Sequence, residues 1–152
     1  MADYHFDSSA AGKLYRTEVG TERVESLFNE PDARNFITRL TLVEVQSVFA
    51  GKVRTGEMTE AEFDLLRRRF LTDVSQSRFT VVSVSGLHYQ EAERLIRIHG
   101  PTRSMRTLDA LQLAIALDLK AQDRLDYFVC ADHRLVALAT AEGLAVINPE
   151  QT

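Results

Sequence analysis

The sequence lacks the features that mark several common classes of protein. It has a single cysteine, Cys130, so an internal disulfide cannot form. No apolar run approaches the roughly 18 residues that cross a bilayer, and the first residues lack the charged and apolar regions of a signal peptide. We therefore expect a cytoplasmic protein without membrane contact. Because Cys130 lies in the apolar run 127–131, we interpret it as a small buried hydrophobic side chain.

A positive net charge is also absent. The formal net charge of −4 argues against a broad basic surface for nucleic acid, which needs clustered Lys and Arg. It does not exclude an enzyme that acts on nucleic acid, since bound divalent ions would cancel carboxylate charge at the site. The arginines at 67–69 fit a solvated helix face. Arg103 and Arg106 follow Gly100-Pro101 in a loop that leads into a helix, and they are candidates for substrate contact.

Several motifs of enzymes and metal sites are missing. The histidines do not have the spacing of a zinc site, although His133 adjoins an acidic residue and is a further candidate for substrate contact. There is no phosphate-binding Walker loop. A haloacid-dehalogenase-like phosphatase needs a second aspartate two residues after the first, and Ser9 occupies that position. The acidic pair, phosphoacceptor aspartate and lysine of a receiver domain are absent as well.

What the sequence does contain is an alternation of apolar strand-like runs with helical patterns. This alternation is typical of a parallel sheet covered by helices on both faces, and 152 residues at 45% hydrophobic content make one domain with a core. We therefore predict a single α/β domain over residues 1–152. The predicted strands are 4–7, 35–39, 79–84, 127–131 and 144–147. The predicted helix starts are Ser8 or Ser9, Thr21, Thr41, Thr59, Ser85, Thr107 and Asp132.

Four acidic residues fall where an apolar strand ends or a helix begins: Asp7, Glu44, Asp109 and Asp132. In a doubly wound fold these positions gather at one edge of the sheet, where open α/β sheets place their ligands. A carboxylate cluster without paired His or Cys prefers hard cations such as Mg²⁺ or Mn²⁺. The pattern therefore indicates a site for one or two divalent ions.

Helix capping is the competing explanation for each acid taken alone. Asp132 is a good N-cap residue, Thr41-x-x-Glu44 matches a capping box, and Asp109 lies in a first turn, where the helix dipole favours negative charge. The capping explanation is weaker for Asp7, because Ser8 and Ser9 could cap the first helix without it. Four acids on one edge would also repel each other strongly, and a bound cation removes that cost.

The contexts of these acids resemble the PIN-domain nucleases, and most closely the VapC-type toxins of toxin-antitoxin pairs. The resemblance spans nearly the whole chain. It rests on Tyr4-His-Phe-Asp-Ser-Ser-Ala10 with Lys13-Leu-Tyr15, Thr41-Leu-Val-Glu-Val45, Arg106-Thr-Leu-Asp-Ala-Leu-Gln-Leu-Ala114, Phe128-Val-Cys-Ala-Asp132 and Gly143-Leu-Ala-Val-Ile-Asn-Pro149. It implies a three-layer α/β/α PIN-like fold around a mostly parallel sheet of four to five strands.

The resemblance also carries functional expectations. It assigns Asp7, Glu44, Asp109 and Asp132 to the acidic metal site, and it places Ser8 and Ser9 as hydroxyls that support those carboxylates. It implies a Mg²⁺- or Mn²⁺-dependent endoribonuclease that acts as a toxin, with RNA as substrate, a small antitoxin as partner and a homodimeric assembly. Two alternatives remain open: a non-catalytic PIN-fold module that binds RNA or a partner, and a housekeeping PIN nuclease without an antitoxin.

Overall fold

Strands and helices alternate along the chain in the computed structural model, which describes residues 2–151. The strands are β1 (Asp3–Phe6), β2 (Arg34–Thr38), β3 (Thr80–Val82), β4 (Tyr127–Val129) and β5 (Val146–Ile147). The helices are α1 (Ser8–Ala11), α2 (Thr21–Phe28), α3 (Arg39–Arg54), α4 (Glu60–Ser75), α5 (Gly86–His99), α6 (Thr107–Ala121) and α7 (His133–Ala141). A 3₁₀ turn, Gly12–Leu14, follows α1 directly. Within residues 2–151, no helix combines the length and the apolar character that crossing a bilayer requires.

The five strands form one parallel sheet in the order β3-β2-β1-β4-β5. Side chains alternate across it, so Tyr4 and Phe6 of β1 join a core shared with α2, α3 and α4, whereas Phe128 of β4 joins a second core with α5, α6 and α7. His5 lies on that second side, with its ring 5.2 Å from the ring of Phe128. The predicted fold class, a parallel sheet of four to five strands between two helical layers, is confirmed.

The order of strands places the acidic residues at a topological switch point. The chain leaves β1 toward β2 on one side and returns to β4 on the other. Open α/β sheets bind ligands in the crevice that this reversal creates outside the carboxyl ends of the strands. Asp7 directly follows β1, and Asp132 lies three residues after the end of β4.

Two predicted helix starts were wrong. The helix that contains Glu44 begins at Arg39 rather than Thr41, because Thr38 at the end of β2 is its N-cap and accepts a hydrogen bond from the Thr41 amide at 3.2 Å. Glu44 therefore lies beyond the first turn and takes no part in a capping box. The first helix is capped by Asp7, whose Oδ1 accepts from the Ala10 amide at 3.1 Å, and not by Ser8 or Ser9.

Other helix starts match or nearly match the prediction. Thr59 and Glu62 form the expected capping box of α4, and Asp132 caps α7 as predicted. Ser85 is the N-cap residue of α5. The N-cap of α6 is Arg106, one residue before the predicted Thr107. The strands β3, β4 and β5 are shorter than predicted by one or two residues at an end, and β1 and β2 are shifted by one residue, since pairing with neighbours decides where a strand stops.

Gly20 allows a close approach between the start of α2 and the chain near Pro149. It has φ +89°, and a Cβ atom there would lie 2.8 Å from the Pro149 carbonyl oxygen. Gly56 has φ +78° with open space around it, so it is a matched control. We expect Gly56→Ala to cost about 1–2 kcal/mol of unfolding free energy from backbone strain alone. Gly20→Ala should cost clearly more in urea denaturation, and equal losses would contradict this packing.

Candidate active site

The four predicted acids line one cavity of about 710 Å³ at the carboxyl edge of the sheet. Asp7 comes from the end of β1, Glu44 from α3, Asp109 from the first turn of α6, and Asp132 from the start of α7. Residues far apart in the chain meet here because parallel strands all end at this edge. Other residues that line the cavity include Ser8, Ser9, Lys13, Glu18, Lys52, Arg106, Gln112 and Glu150.

The acids face the cavity without converging on one point. In the part of the chain that the structure describes, no three His, Cys, Asp or Glu side chains lie close enough together to hold a single ion. Carboxylates repel each other strongly when no cation lies between them, so a splayed arrangement is the expected one for the protein alone. Binding an ion would require rotation of these side chains toward the centre of the cavity.

Two of the acids are anchored through one oxygen as N-caps. Asp7 Oδ1 accepts hydrogen bonds from the Ser9 hydroxyl at 2.7 Å and the Ala10 amide at 3.1 Å. Asp132 Oδ1 accepts from the amides of Arg134 at 2.9 Å and Leu135 at 3.4 Å. In each case the backbone of a helix start fixes the position of the carboxylate.

The other two acids are anchored in the same one-sided way. Glu44 Oε1 accepts from the Ser8 hydroxyl at 2.9 Å and from the Gln112 amide group at 3.0 Å. Asp109 Oδ2 accepts from the Arg106 amide at 3.2 Å. Ser8 and Ser9 thus each donate to one of the four carboxylates.

The second oxygen of each acid is left for another ligand. Among residues 2–151, Glu44 Oε2, Asp109 Oδ1 and Asp132 Oδ2 accept no hydrogen bond, and Asp7 Oδ2 accepts only from the Cys130 thiol at 3.2 Å. Capping occupies one oxygen of Asp7, Asp109 and Asp132, so it does not exclude a metal ion at the other oxygen. A set of hard carboxylate oxygens fits Mg²⁺ or Mn²⁺.

The surroundings of Asp7 change the pKa of its carboxyl group. Burial raises its pKa to about 6, and the negative charge of Asp132 adds to the increase. The hydrogen bonds from Ser9, Cys130 and the Ala10 amide act in the opposite direction. A divalent cation in the cavity would favour the ionised carboxylate, because an opposite charge at short range lowers an acid's pKa.

The sequence patterns assign no chemical role to three residues that the structure places at this site. Cys130, interpreted as a buried hydrophobic side chain, is buried but also donates to Asp7, and burial raises the pKa of its thiol. Gln112 is 3% exposed and contacts Glu44. Lys13 is buried, with its Nζ 3.0 Å from Glu18 and 3.4 Å from Glu150. A buried amide and a buried lysine at a cavity can be recognised only once the neighbouring elements are in place.

The residues suggested for substrate contact are placed differently from one another. Arg106 lines the cavity, and its Nε lies 3.8 Å from Asp109 Oδ2. Arg103 is exposed and does not line the cavity, and its guanidinium donates to the Ala137 carbonyl at 3.4 Å. His133 is exposed at the first position of α7 and is also outside the lining. Of the three, Arg106 is the one that can reach a ligand in the cavity directly.

Comparisons of sequence and of structure find similar proteins of one family. Residues 4–147 match the family described as PIN domain. Ribonuclease VapC45 of Mycobacterium tuberculosis (strain CDC 1551 / Oshkosh) is 32% identical over 113 residues, which cover 74% of each protein. Among solved structures, the sarcin-ricin loop cleaving toxin VapC20 of Mycobacterium tuberculosis aligns with TM-score 0.66 at 12% identity, covering 93% of this chain and 96% of that one. A toxin-antitoxin complex from Klebsiella pneumoniae aligns with TM-score 0.61 at 18% identity, covering 98% and 99%.

Proposed function

Because the chain belongs to the PIN-domain family, we propose that it is a metal-dependent endoribonuclease and the toxin of a type II toxin-antitoxin pair. The observation that carries the proposal is the cavity in which four carboxylates are each anchored through one oxygen, while the other oxygen accepts no hydrogen bond or, in Asp7, only that of the Cys130 thiol. The ribonuclease VapC45, which covers most of this chain at 32% identity, supports RNA as the substrate.

The proposed chemistry needs no nucleophile from the protein. One or two Mg²⁺ or Mn²⁺ ions, when bound, would lower the pKa of the attacking water and stabilise the charge that develops on the phosphodiester. Asp7, Glu44, Asp109 and Asp132 would hold these ions through their available oxygens. Ser8 and Ser9 keep two of those carboxylates in place through their hydroxyl groups. Arg106, on the cavity wall, would orient an RNA phosphate.

Protein partners are part of the same proposal. The toxin-antitoxin complex from Klebsiella pneumoniae has this fold, which supports a small antitoxin as partner of this chain. We propose a homodimer as well, since several large apolar side chains are exposed, among them Val43, Leu65 and Leu87. Light scattering at micromolar concentration tests the dimer, and a monomer would contradict it. RNA as substrate and an antitoxin as partner favour the cytoplasm as its location.

The direct test of the function is cleavage of RNA by the purified protein. Labelled single-stranded and structured RNAs are incubated with Mg²⁺ or Mn²⁺, and parallel reactions contain EDTA. We expect cleavage that requires the divalent ion and is removed by EDTA. A protein that binds RNA or a partner without cutting any of a varied set of RNAs would instead be a non-catalytic PIN-fold module. Cleavage by a protein whose gene has no neighbouring antitoxin gene would favour a housekeeping nuclease.

Arg106 is expected to contribute to substrate affinity rather than to the chemical step. An exposed cation paired with a phosphate is worth up to about 1 kcal/mol, so Arg106→Ala should raise the KM for RNA about fivefold with little change in kcat. Arg103→Ala, which removes an arginine outside the cavity lining, is the matched control and should have a smaller effect. Steady-state kinetics at fixed Mn²⁺ measure both. An Arg103→Ala effect larger than that of Arg106→Ala would contradict this placement.

A further inference from the structure

Gln112 occupies a central position behind the acidic cavity. It lies on α6 one turn after Asp109, and only 3% of its surface is exposed. Its side chain extends from α6 toward α3 and α1, the two helices that carry Glu44 and Ser8. A buried primary amide needs partners for its N–H groups and its oxygen, so its contacts define its role.

The amide nitrogen of Gln112 donates at the point where Glu44 is anchored. Gln112 Nε2 lies 3.0 Å from Glu44 Oε1 and 2.8 Å from Thr41 Oγ1. The Ser8 hydroxyl donates to the same Glu44 oxygen at 2.9 Å. Two donors thus hold Oε1, and no donor from the described residues holds Oε2. These two hydrogen bonds orient the carboxylate of Glu44. The Glu44 side chain is flexible and does not cap its helix, so no capping contact holds it in place.

His5 lies on the same side of the sheet and bears on the orientation of the Gln112 amide. Its ring is completely buried. Within residues 2–151, both ring nitrogens and Gln112 Oε1 lack a partner at hydrogen-bond geometry. Because buried polar groups are rarely left unpaired, a small adjustment that pairs them would keep Nε2 directed at Glu44.

We propose that Gln112 is a positioning residue, which holds Glu44 so that its Oε2 faces the divalent ion. This inference rests on the proposed metal-dependent function and deepens it. Gln112 does not bind the ion itself. Partners that orient metal-binding side chains typically change metal affinity about 10- to 100-fold when they are removed. Loss of Gln112 should therefore weaken metal binding more than it weakens the stability of the fold.

The test measures metal affinity without RNA, so that it does not depend on activity. Mn²⁺ is titrated by calorimetry into the wild-type protein, Gln112→Met and the control Gln46→Met, together with thermal melting in EDTA. Gln46 is on α3, and its amide donates to the Leu42 carbonyl outside the cavity lining. We expect Gln112→Met to bind Mn²⁺ about 10- to 100-fold more weakly, with Gln46→Met unchanged. Gln112→His, which retains a ring N–H donor, should restore part of the affinity.

A second variant keeps the test decisive if Gln112→Met does not fold. Ser8→Ala removes the other donor to Glu44 Oε1 at a half-buried position, and it should also weaken Mn²⁺ binding. Wild-type affinity in either folded variant would overturn the role of this anchor. A wild-type protein that binds no Mn²⁺ would overturn the proposed metal-dependent function as well, so the two failures are distinguishable.

Discussion

Asp7→Asn should abolish metal-dependent RNA cleavage while the protein remains folded. Asparagine is as good an N-cap residue as aspartate, so its Oδ1 can still accept from the Ala10 amide and the Ser9 hydroxyl. The change removes the negative charge and one oxygen of a carboxylate that we propose binds the metal. Loss of a partner that merely orients such a ligand costs about 10- to 100-fold, so loss of the ligand itself should exceed about 100-fold in kcat/KM.

The matched control for this variant is Asp64→Asn. Asp64 is an exposed residue of α4 whose carboxylate pairs with Arg68 at 3.3 Å, and it does not line the cavity. Both variants are assayed with labelled RNA in Mg²⁺ and in Mn²⁺, with circular dichroism to show that each is folded. Asp64→Asn should cleave like the wild type. Metal-dependent cleavage at the wild-type rate by Asp7→Asn would remove Asp7 from the site.

The same Asp7→Asn change is expected to stabilise the metal-free protein at neutral and alkaline pH. Burial raises the pKa of Asp7 from 3.8 to about 6 in the folded state. The folded protein therefore holds the Asp7 proton more tightly than the unfolded chain does. This contribution to stability is fully present below about pH 4, and it is lost as the pH rises through about 6. A rise of about two pKa units corresponds to about 3 kcal/mol, and asparagine avoids this loss.

Urea denaturation in EDTA at pH 4, 6 and 8 measures the effect. The difference in unfolding free energy between Asp7→Asn and the wild type should be near zero at pH 4 and should increase toward about 3 kcal/mol at pH 8. Adding Mn²⁺ at pH 8 should then stabilise the wild type and not the variant, because a ligand that binds only the folded state adds to its stability. If the difference in unfolding free energy did not vary with pH, burial would not raise the pKa of Asp7.

These two expectations share one physical origin. A carboxylate buried deeply enough to have a raised pKa destabilises the protein when no cation is present, and the cation that removes this cost is the one proposed to carry the chemistry. One substitution should therefore increase stability and remove activity, which is the usual relation between stability and a functional site.

Much of the fold could be predicted from local patterns. The alternation of β-branched strands with amphipathic helices predicts the parallel sheet, and the end of the apolar run at Phe6 predicts that Asp7 lies at its carboxyl edge. The start of α3 could not be predicted in the same way, because Thr38 and Thr41 are both good capping residues. The choice between them depends on where β2 stops pairing with β3, at Thr38 and Val82. A local sequence motif carries no information about this pairing between two strands.

The sequence by itself determined which residue types are available for chemistry: four acids next to strand ends and helix starts, with no second cysteine and no zinc motif. Only the tertiary structure decided how each acid is used. It shows that one oxygen of each is anchored, and that Cys130 and Gln112 contact Asp7 and Glu44 across separations of 123 and 68 residues. The physical reason is that hydrogen-bond geometry depends on distances between separate elements, whereas residue order constrains only neighbours along the chain.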